Sequence, residues 1–87
     1  MVQAELVITN GIGLHARPCS MFVNLASRFR SEVFVTRDGV EVNGKSILGL
    51  MMLAAEPGAA IVVRAEGPDE DEALAALAKL VEENFGE

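Results

Sequence analysis

The dipeptide Asp38-Gly39 stands between two short alternating runs, Glu32 to Thr36 through Val33 and Val35, and Val40 to Val42. Asp-Gly tolerates positive φ at both central positions of a two-residue hairpin turn, so the two runs are expected to be antiparallel neighbours in one sheet. An isolated two-stranded hairpin is marginal in water, so the rest of the chain must supply more strands or a covering layer. At 87 residues the chain reads as one domain spanning 1–87. That leaves no room for a separate cofactor lobe or a deep interdomain cleft.

The remaining segments supply both strands and cover. Glu5 to Ile8, with Val2, reads as a first strand, stopped by Asn10-Gly11 and Gly13. From Ala16 to about Phe29 the apolar residues Met21, Phe22, Leu25, Ala26 and Phe29 recur at spacings of three and four, which is one face of a helix, with Pro18 tolerated in its first turn. Asn43-Gly44 ends the hairpin. Ser46 then precedes the run ILGLMML, which is rich in Leu and Met and reads as a short helix capped by Ser46 and ended by Pro57-Gly58. Ala60 to Ala65 is a fourth strand, and Gly67-Pro68 turns into a last helix with a buried stripe of Leu74, Leu77 and Val81. Asp69 and Glu72 have the spacing of a capping box there. The order β-α-β-β-α-β-α predicts an α+β open-faced sandwich, in which one mixed, four-stranded sheet is covered on one face by three helices.

Charge is unevenly distributed. The net charge is −6, yet Glu66 to Glu87 holds eight carboxylates and one Lys, while residues 1–65 carry six basic and five acidic residues. Thr9 to Ser31 has Arg17, Arg28 and Arg30 and no carboxylate. The overall acidity argues against nucleic acid as a partner, but an anion is plausible in the locally positive segment. No apolar run is long enough to span a bilayer, so no membrane insertion is expected. The N-terminus does not read as a secretory signal, and Cys19 has no second cysteine with which to form an internal disulfide. A reducing cytoplasm is the expected setting.

The single histidine, His15, lies in that positive segment, in the stretch GLHARPCS at residues 13–20. It falls at the N-cap of the first helix, where Ser, Asp or Asn would ordinarily satisfy the free amides. The amides of Ala16 and Arg17 and the helix dipole form a small positive field there, and a neutral imidazole nitrogen is a nucleophile. A phosphoryl group on either ring nitrogen would supply the cap that the side chain lacks, as bound phosphates do at other helix starts. Arg17 has the planar fork to hold a phosphate oxygen and offset charge during transfer. Gly11 and Gly13 let the loop turn sharply and leave the ring accessible.

GLHARP, the stretch VNGKSILGLMML and the order of seven elements resemble the HPr family, the histidine-containing phosphocarriers of the phosphoenolpyruvate-dependent sugar phosphotransferase system. The resemblance covers essentially the whole chain. It implies that His15 accepts a phosphoryl group from phosphorylated enzyme I and passes it to the IIA unit of a sugar permease, with Arg17 stabilising the phosphate. It implies no bound metal or cofactor, and it places Ser46 at a position phosphorylated by a serine kinase in some lineages, beside Lys45. Phosphorylation there would add about −2 of charge and repel an acidic partner surface.

The run after Ser46 has more large apolar side chains than one buried face needs, so part of it is expected to face outward as a docking patch. Leu50 and Leu53 are assigned to the core. The resemblance points to the first helix and this short helix as one binding surface, with Ser20, Lys45, Ile47, Leu48 and Met51 as contacts. Some relatives place several lysines on that surface; Asn24, Ser27 and Gly49 are uncharged here. Cys19 is a second departure from a position usually small. It is expected to pack beneath the helix, since no second His, further Cys or ordering carboxylate accompanies it, and as a cysteine it is expected to make the site sensitive to oxidation.

Two functions remain open. One is a covalent phosphoryl carrier, not an enzyme in itself and expected to be monomeric. The other is a nitrogen-related (NPr-type) regulator whose His15 phosphorylation sets its affinity for partners. The presence of the histidine favours the carrier.

Overall fold

The structure, a computed structural model, describes all residues except 12, 54 and 87. The elements are β1 (Val2–Val7), α1 (Ala16–Ala26), β2 (Glu32–Arg37), β3 (Val40–Asn43), α2 (Ile47–Met52), β4 (Ala60–Glu66) and α3 (Glu70–Glu82), followed by a 3-10 turn at Asn84–Gly86. Asp38 and Gly39 both take positive φ, 50° and 81°, as the two-residue hairpin between β2 and β3 requires.

The strand order is β1-β4-β2-β3, and each neighbouring pair is antiparallel. This corrects the expected mixed sheet. β1 and β2, joined through α1, do run parallel, but β4 lies between them; β3 and β4, joined through α2, are likewise separated by β2. Interleaving two crossover units leaves no parallel pair in contact. One face of the sheet carries Leu6, Val33, Val35, Ile61, Val63 and Ala65 into the core, where they meet Phe22, Leu50, Leu77 and Val81 of the helices. The alternate residues face outward, and there the Arg64 guanidinium lies 4.4 Å from the centroid of the Phe34 ring and 3.0 Å from Glu41.

α1 ends at Ala26, before the Phe29 expected from the apolar stripe. Beyond Ala26 the hydrogen bonds tighten to i→i+3, with Arg28 N donating to Leu25 O and Phe29 N to Ala26 O, so the stripe outlasts the α-helix.

The capping box is also corrected. Asp69 makes no side-chain cap bond to α3. Its carboxylate instead accepts the amides of Arg30 and Ser31, each at 2.9 Å, together with the Ser31 hydroxyl, and the Asp69 amide donates back to Ser31 Oγ at 3.2 Å. It is Glu70 that reaches back, accepting Gly67 N at 3.1 Å. The Asp69–Ser31 clasp joins the turn before β2 to the start of α3. The Ser31 hydroxyl first, then the Arg30 and Ser31 amides, lower the Asp69 carboxyl from 3.8 to about 2. A depressed carboxylate stabilises the fold above its unfolded pKa and loses that contribution as pH falls through its folded one. Melting temperature should therefore drop between about pH 4 and pH 2, and Asp69→Asn should flatten that part of a pH series followed by circular dichroism. Equal slopes in the two proteins would show that the clasp contributes nothing.

The tail closes the core. Asn84, Phe85 and Gly86 all take positive φ, and Phe85 is buried. A left-handed conformation costs a bulky residue about 1–2 kcal/mol, whereas burying its ring returns about 1.5–3 kcal/mol, so burial carries the conformation.

Candidate functional site

His15 is the N-cap of α1, with extended backbone (φ −105°, ψ −172°) and no side-chain bond to the helix amides. Its carbonyl accepts Cys19 N at 3.1 Å, which starts the helix. The first amides of a helix have no partner within it, and Pro18 removes one of them, so Ala16 and Arg17 present the open N–H groups. His15 is half-buried and Arg17 is exposed. A half-buried imidazole, two backbone donors and an exposed guanidinium can together hold a phosphoryl group. A cavity of about 240 Å³ elsewhere is lined by Glu32, Val33, Phe34, Asn43 and Lys45, without His15 or Arg17.

Three groups hold the loop before His15. Gly13 N donates to Asn10 O at 3.2 Å, and His15 N donates to Gly13 O at 3.1 Å across a tight turn centred on Leu14. Leu14 N donates to Ala55 O at 2.8 Å, which fastens the loop to the segment following α2. Gly13 has φ +83°, and a Cβ built on it would lie 2.4 Å from Ala55 O and 3.0 Å from Glu56 Cα, so the close approach needs a glycine twice over. The segment is secured in turn by Arg37 at the end of β2, whose Nη1 donates to Leu53 O at 3.0 Å and whose Nη2 lies 2.8 Å from the Glu56 carboxylate. A backbone hydrogen bond within Glu56 and the Arg37 guanidinium together hold the Glu56 carboxyl below its ordinary range.

α1 and α2 pack side by side, so the second motif borders the first. Ser46 caps α2 as expected, its hydroxyl accepting Gly49 N at 3.1 Å. Leu50 and Leu53 are buried, while Ile47, Leu48, Met51 and Met52 are 40%, 75%, 42% and 79% exposed. Four of the six residues of α2 thus form a continuous apolar surface. Met52, the most exposed of them, lies outside the set named from the sequence. Ser20 is half-buried on α1. Lys45 is half-buried and its Nζ donates to Phe29 O at 2.9 Å, so its charge also ties the end of α1 to the start of α2. A Cβ on Gly49 would lie 3.2 Å from Val42 Cβ, so the position is tightly packed.

Cys19 is fully buried in the core, and burial pushes its thiol up from the usual value. Sharing a helix with His15 does not bring it to the surface, and oxidation would have to follow opening of the core. Among the described residues no group of three or more His, Cys, Asp or Glu could hold a metal ion, and no helix is long and apolar enough to cross a membrane.

Sequence reasoning missed Asn10 and Arg37 as supports of the site. In the sequence Asn10 reads only as a strand stop. Nothing local marks Arg37, whose partners lie 16 and 19 residues along the chain.

Comparison with known proteins gives a consistent picture. Residues 2–83 match the family model of the PTS HPr component phosphorylation site. A phosphocarrier protein HPr of Neisseria meningitidis serogroup A is 49% identical over 87 residues, covering 100% of this chain and 98% of the relative. The HPr-like protein Crh of Bacillus subtilis is 48% identical over 83 residues, or 95% of this chain and 98% of Crh. The crystal structure of an HPr from Thermoanaerobacter tengcongensis superposes with a TM-score of 0.97 at 46% identity, covering 100% of this chain and 98% of that one.

Proposed function

This chain belongs to the HPr family of phosphotransferase-system phosphocarriers, and from that premise we propose that His15 accepts a phosphoryl group from phosphorylated enzyme I and hands it to the IIA unit of a sugar permease. One observation carries the reading: the single histidine occupies the N-cap of α1 without capping it, beside an exposed arginine.

In the transfer a lone pair on an imidazole nitrogen attacks phosphorus, the bond from phosphorus to the donor nitrogen breaks, and the electron pair leaves with the donor. The amides of Ala16 and Arg17 and the Arg17 guanidinium face the charge on the equatorial oxygens. These groups hold a phosphoryl group at the surface, where it can leave again; the barrier to each transfer falls only when a partner closes over the site. The chain is therefore a carrier acting between enzymes, as a cytoplasmic monomer that presents the same face to donor and acceptor in turn. Ile47, Leu48, Met51 and Met52 form the apolar centre of that face, with Arg17 and Ser20 at its α1 border and Lys45 at the start of α2. Ser46 caps α2; a phosphate on it would offer further acceptors to the α2 amides and place negative charge on the docking face.

The test uses the chain with phosphoenolpyruvate and enzyme I. Acid-labile, alkali-stable phosphate should appear on the protein, and its absence would sink the reading. Onward transfer to a sugar-permease IIA domain, run against a nitrogen-type IIA domain, separates the carrier from the regulatory alternative.

A further inference from the structure

We infer that Asn10 is a positioning residue for His15: its side-chain amide fixes the carbonyl that sets the backbone of the phosphoryl-accepting residue. The inference rests on the proposed role of His15 and adds to it a residue outside the GLHARP stretch.

Asn10 is 2% exposed, which is unusual for a polar side chain and requires compensation. Its Nδ2 donates to Gly13 O at 2.8 Å. That same carbonyl accepts His15 N at 3.1 Å, while Gly13 N returns a bond to Asn10 O at 3.2 Å. Gly13 O therefore carries two donors, one from the buried side chain and one from the backbone of His15. A carbonyl oxygen only accepts, so the atom facing it must be the amide nitrogen. Asparagine is suited to the place because its short side chain folds back on the local backbone and brings a donor to a carbonyl three residues on.

The consequence reaches the chemistry through one peptide. Fixing Gly13 O fixes the tight turn at Leu14, the turn sets the extended backbone of His15, and that backbone decides where the ring stands relative to the amides of Ala16 and Arg17. Leu14 N, held by Ala55 O, anchors the other side of the same turn. Aspartate would keep the size of Asn10 while placing an acceptor against an acceptor, and alanine would leave Gly13 O with the His15 amide alone.

The experiment compares the parent with Asn10→Asp and Asn10→Ala, each first shown to be folded by its melting transition, so that one variant suffices if the other fails to fold. Phosphorylation by enzyme I is followed at varied carrier concentration. Because misplacement by about 1 Å costs on the order of 100-fold in rate, kcat should fall at least about tenfold while KM, set by the untouched α2 surface, stays within about twofold. The second readout needs no enzyme: His15 is phosphorylated chemically with phosphoramidate, and the amide proton shifts of Ala16 and Arg17 are recorded by NMR. In the parent both should move downfield, as amides do on bonding a phosphate, and in the variants they should move much less. Unchanged kcat with parent-like amide shifts in a folded variant would overturn the inference, as would a rise in KM alone. A parent that takes phosphate from phosphoramidate but none from enzyme I would overturn the carrier reading, and the amide shifts would still decide the role of Asn10.

Discussion

His15→Ala will accept no phosphoryl group from enzyme I, and it will fold as the parent does. Both halves follow from where the side chain sits. The chain has one histidine, and no other side chain on the docking face is poised to replace it. The Cys19 thiol is buried and its ionisation is disfavoured, and the Ser46 hydroxyl is committed to Gly49 N. Nucleophilic transfer needs an accessible lone pair aligned with the incoming phosphorus, so losing the ring removes the acceptor outright rather than slowing it. The hydrophobic core, by contrast, does not include the imidazole, which is half-buried and makes no cap bond to α1. Such a substitution typically changes stability by about 0.5 kcal/mol, or about 2–4 °C in melting temperature for a domain of this size. Radiolabel transfer and a thermal melt on the same preparation check the two halves together. Labelling of the variant at a rate near the parent's would place the acceptor elsewhere and remove the basis of the carrier reading.

What the sequence disclosed and what it withheld divide along physical lines. Asp38-Gly39, Ser46 and the position of His15 could be read because each is decided within a few residues: a positive-φ pair, a hydroxyl three residues from the amide it caps, a proline fixing a first helical turn. Asp69 misled for the converse reason. Its spacing to Glu72 suits a local box, but a carboxylate serves whichever amides come nearest, and those of Arg30 and Ser31 are delivered by tertiary folding. Outside the Asp38-Gly39 hairpin, strand direction was invisible because alternation of side chains carries no polarity, and the interleaving of β4 between β1 and β2 is what makes every contact antiparallel. The N-cap position of His15 was therefore legible while the groups that hold its loop were not. Asn10 and Arg37 act on backbone carbonyls, and nothing in their spacing announces which carbonyl a folded chain will present.

Gly13→Ala should destabilise the chain strongly, and Gly39→Ala measures how much of that damage is conformational. Both glycines have φ near +80°, where any L-residue is strained, at a cost of about 1–2 kcal/mol. They differ in surroundings. A Cβ at Gly39 meets nothing within 4 Å, whereas one at Gly13 would lie 2.4 Å from Ala55 O, a backbone atom that already accepts Leu14 N. No side-chain rotation relieves that overlap. Either the loop lifts off residues 55 and 56, breaking the Leu14 bond, or Ala55 and Glu56 are pushed against the Arg37 contact with Glu56. Adding about 1–3 kcal/mol for the overlap to the conformational cost gives a loss of about 3 kcal/mol. Since 1 kcal/mol is worth about 4–8 °C in a domain of this size, Gly13→Ala should melt about 12–24 °C below the parent, and Gly39→Ala, with the conformational cost alone, about 4–16 °C below it. The functional split should be wider still. Gly39→Ala lies in the β2–β3 turn and should be phosphorylated at the parental rate, while Gly13→Ala moves the carbonyl that sets His15 and should lose at least about tenfold in kcat even at temperatures where it is folded. Two variants that melted together and were phosphorylated alike would show that the contact of the His15 loop with Ala55 and Glu56 does not constrain the site, leaving Gly13 a turn residue and nothing more.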